Sequence, residues 1–334
     1  MKLVSLLMIL FCSSSLLEVS GQIRILETPT DFELDGLREI DFSKRKKVFK
    51  IASAATYTTM ATGLYFAWYD QFEQESFHFF DDWGEWNNMD KAGHVYSAHI
   101  QAELIHSLAR WSGYDDDKAL LIGTGASLLG QLTIEVMDGF SSGWGFSVTD
   151  LGANLIGTSS YYLQHKYWGE QRLTMKMSYY PVSYPDQTFR SESGSFETTL
   201  RERSEVLFGE RGIERFLKDY NGQTIWVSAD IKAFFPESKW PDFLNVALGY
   251  SAGNLYGGFS NRWEVNDENL SIDSALFPRS QQWVLALDYD LKSIKARSEF
   301  GQGVLRFLDI FKWPAPAVSY DTEEGWGVHL IFLN

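Results

Sequence analysis

Apolar residues in the first half of the chain recur every three to four positions, whereas those in the second half alternate. The first spacing predicts helices and the second strands. The helical spacing runs from about Asn88 to Trp111, from Lys118 to Asp138, and from near Ser147 to near His165. Ser112-Gly113-Tyr114 reads as a turn, and Asp115, Asp116 and Asp117 suit a helix start, where negative charge meets the dipole. Gly139 fits a helix end, and Phe140 to Phe146 is a loop rich in Gly, Ser and Trp. Upstream, Ile51 to Tyr69 carries no formal charge and follows the basic cluster Lys44-Arg45-Lys46-Lys47 and Lys50. A bilayer crossing needs about 20 apolar residues. This stretch is dominated by Ala, Thr, Ser and Gly, and after export its basic flank would lie on the wrong side for an inner-membrane span. A helix that is buried or in contact with a membrane is the preferred reading. Short loops between four helices predict a bundle.

After about residue 170 the period changes. Tyr179-Tyr180-Pro181 and Tyr184-Pro185 break the chain, residues 186–202 are polar, and Ser204 to Tyr220 reads as one amphipathic helix. Ile225, Val227, Ala229 and Ile231 share one strand face; Trp283, Leu285, Leu287, Tyr289 and Leu291 share another; Trp326, Val328, Leu330 and Phe332 a third. Residues 242–259 are ambiguous, and Gly303 to Phe311 reads as a short helix. The expected fold class is therefore α+β: a four-helix bundle over 44–170, with membrane association as one alternative, then a β-rich region over 171–334. The strands suit a small barrel, a sheet against a membrane, or an ordinary soluble sheet.

Residues 1–21 read as a secretory signal, with Lys2 ahead of the apolar run Leu3 to Phe11 and small residues at Val19-Ser20-Gly21. A lead-in at 22–43 follows. Cys12 is the single cysteine, and bulky Phe11 precedes it where a lipid-attachment signal carries a small residue. Cleavage after Gly21 would leave a mature chain with no disulfide, thiol nucleophile or cysteine ligand. The net charge of −15 argues against nucleic acid, and an aromatic content of 16% favours β-structure or a membrane interface. The chain is thus expected to be exported to the periplasm, at the inner or outer membrane, with a membrane or envelope component as partner.

Three of the predicted helices each carry one polar stripe on an otherwise apolar surface. Asp90, His94, Ser97 and Gln101 align on the first, beside Lys91; Gln131, Glu135 and Asp138 on the second; Asp150, Asn154 and Gly157 on the third. Turned inward, they would bring carboxylates, an imidazole and amides together, a setting that shifts pKa values and permits acid–base chemistry. The candidate cluster is Asp90, Lys91, His94, Gln131, Glu135, Asp138, Asp150 and Asn154. Structural roles compete with this: Asp90 in a first turn, Ser147 to Asp150 as a capping box, Glu135 paired with Lys91 or Arg110. His99, Glu103, His106 and Arg110 lie on another face of the first stripe's helix, where metal-ligand spacing competes with a solvated charged face, and the latter is the expectation. His78, His165 and His329 are expected to be isolated. No G-x-S-x-G, P-loop or dinucleotide motif occurs, so no cofactor and no metal are expected.

Asp90-Lys91-x-x-His94, Glu135-x-x-Asp138-Gly139, Trp144-Gly145-Phe146-Ser147 and Asp150-x-x-x-Asn154-x-x-Gly157 together resemble the YfiM-type family of predicted periplasmic lipoproteins over roughly 45–165. Lys218-Asp219-Tyr220-Asn221-Gly222-Gln223-Thr224-x-Trp226, Gly249-Tyr250 and Pro314-Ala315-Pro316-Ala317 resemble that family's longer Bacteroidetes-type members. The helical motifs are also similar to VanZ-like membrane proteins. These resemblances imply an envelope role without a defined reaction. The expectation is an exported, membrane-associated envelope protein with a structural or binding role. The alternative is a membrane-associated acid–base hydrolase or transferase on a lipid-linked or glycan substrate, with His94 as base, Asp90 as its orienter, and Glu135 or Asp150 as acid.

Overall fold

Four long helices precede an antiparallel sheet in the computed structural model, which describes residues 42–69, 72–191, 193–265 and 267–333. The expected signal at 1–21, with Cys12, and all but the end of the 22–43 lead-in lie outside the described residues. Helix α1 (Phe42–Leu64) runs into a π-turn at Tyr65–Tyr69. Helices α2 (Met89–Trp111), α3 (Asp116–Asp138) and α4 (Val148–Trp168) follow. Their starts are set locally. The Asp115 carboxylate accepts the Lys118 N–H, and the Ser147 hydroxyl accepts the Asp150 N–H.

Helix α2 packs against both α3 and α4. Gly157 permits the closest approach: a Cβ there would lie 2.2 Å from the Val95 carbonyl oxygen. Of the two alternatives for helix α1, burial or membrane contact, burial is not what the structure shows, since Gly63 is its one buried residue among those described. It rests on the bundle through Tyr57, whose hydroxyl meets that of Thr133 at 2.7 Å, and through Arg45 stacked over Trp111. By length and composition α3 is the one described helix that could cross a membrane; 39% of that window is buried in the bundle, and its inner side carries Ser127, Gln131 and Glu135.

The single helix expected over 204–220 is instead two, α5 (Leu200–Phe208) and α6 (Ile213–Lys218). Gly209, at φ 82, and Gly212, at φ 77, take left-handed conformations that interrupt the helical backbone. A one-turn helix α7 (Ile231–Phe234) and α8 (Glu299–Leu308) complete the helices. The sheet contains β1 (Leu173–Tyr179), β4 (Gln223–Ala229), β5 (Leu244–Gly253), β8 (Ser280–Tyr289), β9 (Ala317–Asp321) and β10 (Gly325–His329), antiparallel and in that spatial order. Two hairpins stand apart, β2 (Thr188–Arg190) with β3 (Glu197–Thr199) and β6 (Arg262–Val265) with β7 (Glu268–Ser271). Among the described residues β1 and β10 are the edges of an open sheet, so a closed barrel is not formed.

The two faces of this sheet differ: one is buried and mixes polar side chains with the apolar cluster of Trp226, Ala247, Val284, Ala286, Ala317 and Phe332, and the other is apolar throughout. Register places Lys176, Trp226, Gly249, Val284, Ser319 and Gly327 in one row, and Thr174, Ser228, Ala247, Ala286, Ala317 and His329 in the next. These rows face inward and are mostly buried, although they include Lys, Ser and Thr. Beneath them the Lys176 ammonium lies 2.8 Å from both Asp288 and Asp309, with all three side chains at most 2% exposed. The opposite face is apolar. Its rows run Met175, Val227, Leu248, Leu285, Val318, Val328 and Met177, Ile225, Tyr250, Trp283, Tyr320, Trp326. At the β1–β4 end this face is covered: Met175, Met177 and Ile225 form a core with Met89 and Leu255, against which Trp86, Val95 and Tyr96 pack. Toward β9 and β10 it is bare, reaching 78% exposure at Trp326 and 83% at Val328.

Candidate functional site: a buried Asp–Lys–His network

The start of α2, the end of α3 and the start of α4 meet at one end of the bundle, so the three polar stripes converge there. Lys91 is the hub. Its ammonium lies 2.7 Å from Asp82, 2.7 Å from Asp150 and 3.1 Å from Asp90. The Lys91 side chain is 9% exposed. One such buried cation needs paired anions to offset the loss of its hydration. Asp82 is held in turn by the Ser147 hydroxyl at 2.7 Å and the Thr149 hydroxyl at 2.6 Å, both donating to the same carboxylate oxygen.

His94 stands one turn along from Asp90. Its Nδ1 donates to Asn154 Oδ1 at 3.0 Å, and the Asn154 amide donates to Glu135 Oε1 at 3.3 Å. Its Nε2 faces Asp90 and Asp150, each 3.7 Å away, and Glu135 lies 3.6 Å from Nδ1. Glu135 is 1% exposed, and its second oxygen has no hydrogen-bond partner among the described residues. Gln131 lies deeper and donates to Ser97 at 3.3 Å, while Asp138 turns aside to accept the Tyr69 hydroxyl at 2.7 Å. The structure thus brings Asp90, Lys91, His94, Glu135, Asp150 and Asn154 into one network. Gln131 and Asp138 lie at its margins.

The acid–base balance follows from too many carboxylates around too few cations. Burial, reinforced by the Asp90 charge, pushes the Asp150 carboxyl up to about 8. Burial raises Glu135 to about 7 and Asp138 to about 6, with His94 and the Tyr69 hydrogen bond respectively opposing most. Asp82 goes the other way: burial opposes its charge, yet hydrogen bonds with Asp150, Lys91, Thr149 and Ser147 hold it well below the ordinary carboxylate range. Asp90 is also lowered; His94 and Lys91 outweigh its burial. His94 is raised, because Asp90, Asp150 and Glu135 together overcome its desolvation. Asp90, His94 and Asp150 could as a group hold a metal ion, but the Lys91 ammonium already stands against Asp150 and Asp90.

Several partners escape the sequence patterns. Asp82 lies in the aromatic segment before α2, where nothing in the spacing singles it out. Tyr220, just after α6, donates to Asp90 at 2.8 Å and so ties the network to the second half of the chain. The pairings considered for Glu135 do not form. Lys91 serves the aspartates, and Arg110 meets Asp116 at 2.8 Å. The face of His99, Glu103 and His106 is packed rather than solvated. His99 Nδ1 meets Ser160 at 2.9 Å, Glu103 accepts Lys292 at 2.7 Å, and His106 meets Tyr161 at 2.6 Å. Nor are the remaining histidines isolated: His165 meets Asp116 at 2.7 Å, His78 meets the Trp144 carbonyl at 2.7 Å, and His329 meets Ser319 at 2.8 Å.

The segment containing this network has known counterparts. Residues 76–166 match the family described as "Predicted periplasmic lipoprotein (DUF2279)". The match takes in Asp82, all of α2 and α3, and nearly all of α4, and so every residue of the network except Tyr220. The family's description assigns it to the periplasm and to a lipid anchor. No curated protein and no solved structure matches the chain.

Proposed function

We propose that this is an exported envelope protein that rests against a membrane by its apolar surfaces and has a structural or binding role. The observation that carries this reading is the outer face of the sheet: toward β9 and β10 its aliphatic and aromatic side chains are bare, while the inward face mixes Lys176 and small polar side chains with the apolar cluster of Trp226, Val284 and Phe332. An apolar patch of this kind in a water-soluble monomer would drive association, whereas against lipid it is satisfied. The bundle continues the theme, with Leu121, Leu129, Leu132, Leu155 and Ile156 exposed on α3 and α4. The family description, periplasmic and lipid-anchored, fits the same location. In this reading the units are the bundle over 44–170 and the β-rich region over 171–334, and the Lys91 network fixes one on the other through Tyr220.

Vesicle flotation of the chain starting at Gln22, which carries no cysteine and so no lipid, tests the reading. Binding to phosphatidylethanolamine-rich vesicles is expected, and Leu285→Glu with Val318→Glu should reduce the floated fraction several-fold while the melting temperature holds. Equal flotation of that variant, or none by the parent chain, would overturn it.

A second reading has its own support. A protonated acid near neutrality (Asp150 or Glu135) beside an imidazole is the pairing that acid–base hydrolysis or transfer requires. In that reading His94 is the base, Asp90 orients it, and the substrate is a lipid-linked or glycan envelope component. His94→Gln and Asp150→Asn distinguish the two: a variant that stays folded and at the membrane but loses its envelope phenotype favours chemistry.

A further inference from the structure

A second cluster closes the other end of the bundle. His106 comes from the last third of α2, Asp116 from the first turn of α3 and His165 from the last turn of α4. His106 Nε2 lies 3.3 Å from Asp116 Oδ1, and His165 Nε2 lies 2.7 Å from Asp116 Oδ2. The two imidazole nitrogens and the carboxylate oxygen all fall within 4.8 Å of one another. The two rings meet edge to face at 4.7 Å.

We propose that His106, Asp116 and His165 form a binding site for a zinc-type transition-metal ion. Two imidazoles and one carboxylate are a donor set that Zn²⁺ takes, at about 2.0–2.2 Å each. Donors at that radius on a tetrahedron lie roughly 3.3 Å apart, so small side-chain shifts from the present spacings suffice. The outer contacts are those a ligating histidine uses. His106 is 4% exposed, and its Nδ1 meets the Tyr161 hydroxyl at 2.6 Å, which fixes the ring with Nε2 turned to the site. Asp116 is about half exposed, so an ion can enter from solvent. Arg110 touches Asp116 Oδ1 at 2.8 Å from an exposed position, and Oδ2 meets His165 Nε2 at 2.7 Å, a contact that the ion would replace by binding between the two atoms. The Asp90 cluster differs on this point, because there a buried lysine already supplies the positive charge. Three protein donors leave a fourth position for water or a partner's donor. The ion would join helices α2, α3 and α4 at the end remote from Lys91.

Zn²⁺ itself is the probe, added to tag-free purified protein previously dialysed against EDTA. Calorimetric titration should give one saturable equivalent and a rise in melting temperature, and Co²⁺ in its place should give the intense visible bands of a tetrahedral site. His165→Gln and Asp116→Asn should weaken binding at least tenfold, and their metal-free circular dichroism and melting curves show whether they fold. Asp116 carries a solvent-exposed side chain, so its variant keeps the test decisive if His165→Gln does not fold. Absence of saturable binding by the parent protein would overturn the proposal. So would unchanged affinity in a folded His165→Gln or Asp116→Asn, or loss of binding in His94→Gln with retention in His165→Gln, which would place the ion in the other cluster.

Discussion

Lys91 shows how one residue organises a site. Three aspartates surround a single ammonium, Asp90 and Asp150 brought by the first turns of two helices and Asp82 by the segment ahead of α2, all within 3.1 Å of it. Replacing Lys91 by Met removes the cation and leaves the anions buried, which costs about 3–5 kcal/mol. Urea denaturation should show that loss; an unchanged midpoint would mean that the aspartates are stable without the ammonium. The same charge balance sets a pH dependence. Asp150, Glu135 and Asp138 hold protons in the folded chain at pH values where the unfolded chain has released them, and His94 is shifted in the same sense. Proton binding then favours the folded state, and stability falls as pH rises from about 5 to 8. Asp82 and Asp90 act oppositely: their stabilisation is present above the ordinary carboxylate range and is lost as pH falls below it. Melting temperature should therefore peak in mildly acidic solution. Glu135→Gln should flatten the slope between pH 5 and 8, and a slope unchanged by that variant would remove Glu135 from the balance.

At the scale of elements, helices α2 to α4 were legible because each carries a complete local argument. Asp115 and Ser147 cap two of them, and the apolar spacing spans each one. The polar stripes were legible for the same reason, since positions three and four apart must share a face. What the sequence left open was which face meets what. Asp82 and Tyr220 reach the network from segments whose local pattern carries no signal for it. The alternation of Trp283, Leu285 and Leu287 identified a strand face correctly, but alternation alone does not say whether the apolar side points into a core or away from it. In this sheet it points away except where α2 lies across β1 and β4. Gly157 marks the tightest helical contact. Gly157→Ala would drive a methyl group into the Val95 carbonyl and should cost roughly 1–3 kcal/mol by displacing α4 from α2. A chemical-denaturation midpoint equal to that of the parent chain would show that α4 adjusts freely.

For the whole molecule, the question is how a bundle and a sheet with a bare apolar face remain fixed on each other. Apolar contact supplies part of the answer, through Met89 and Val95 against Met175 and Ile225. Directional contacts supply the rest: Lys292 meets Glu103, Asn87 donates to the Ser280 carbonyl, and Tyr220 donates to Asp90, the contact through which the second half of the chain reaches the network. A membrane-resting role requires this junction, because the bare faces of bundle and sheet must present to the lipid together. The most direct measurement is a double-mutant cycle in urea on Asp90→Asn and Tyr220→Phe. The account predicts a coupling free energy of about 1–3 kcal/mol between the two positions. Effects that add to within about 0.5 kcal/mol would contradict it, and would mean that the network belongs to the bundle alone.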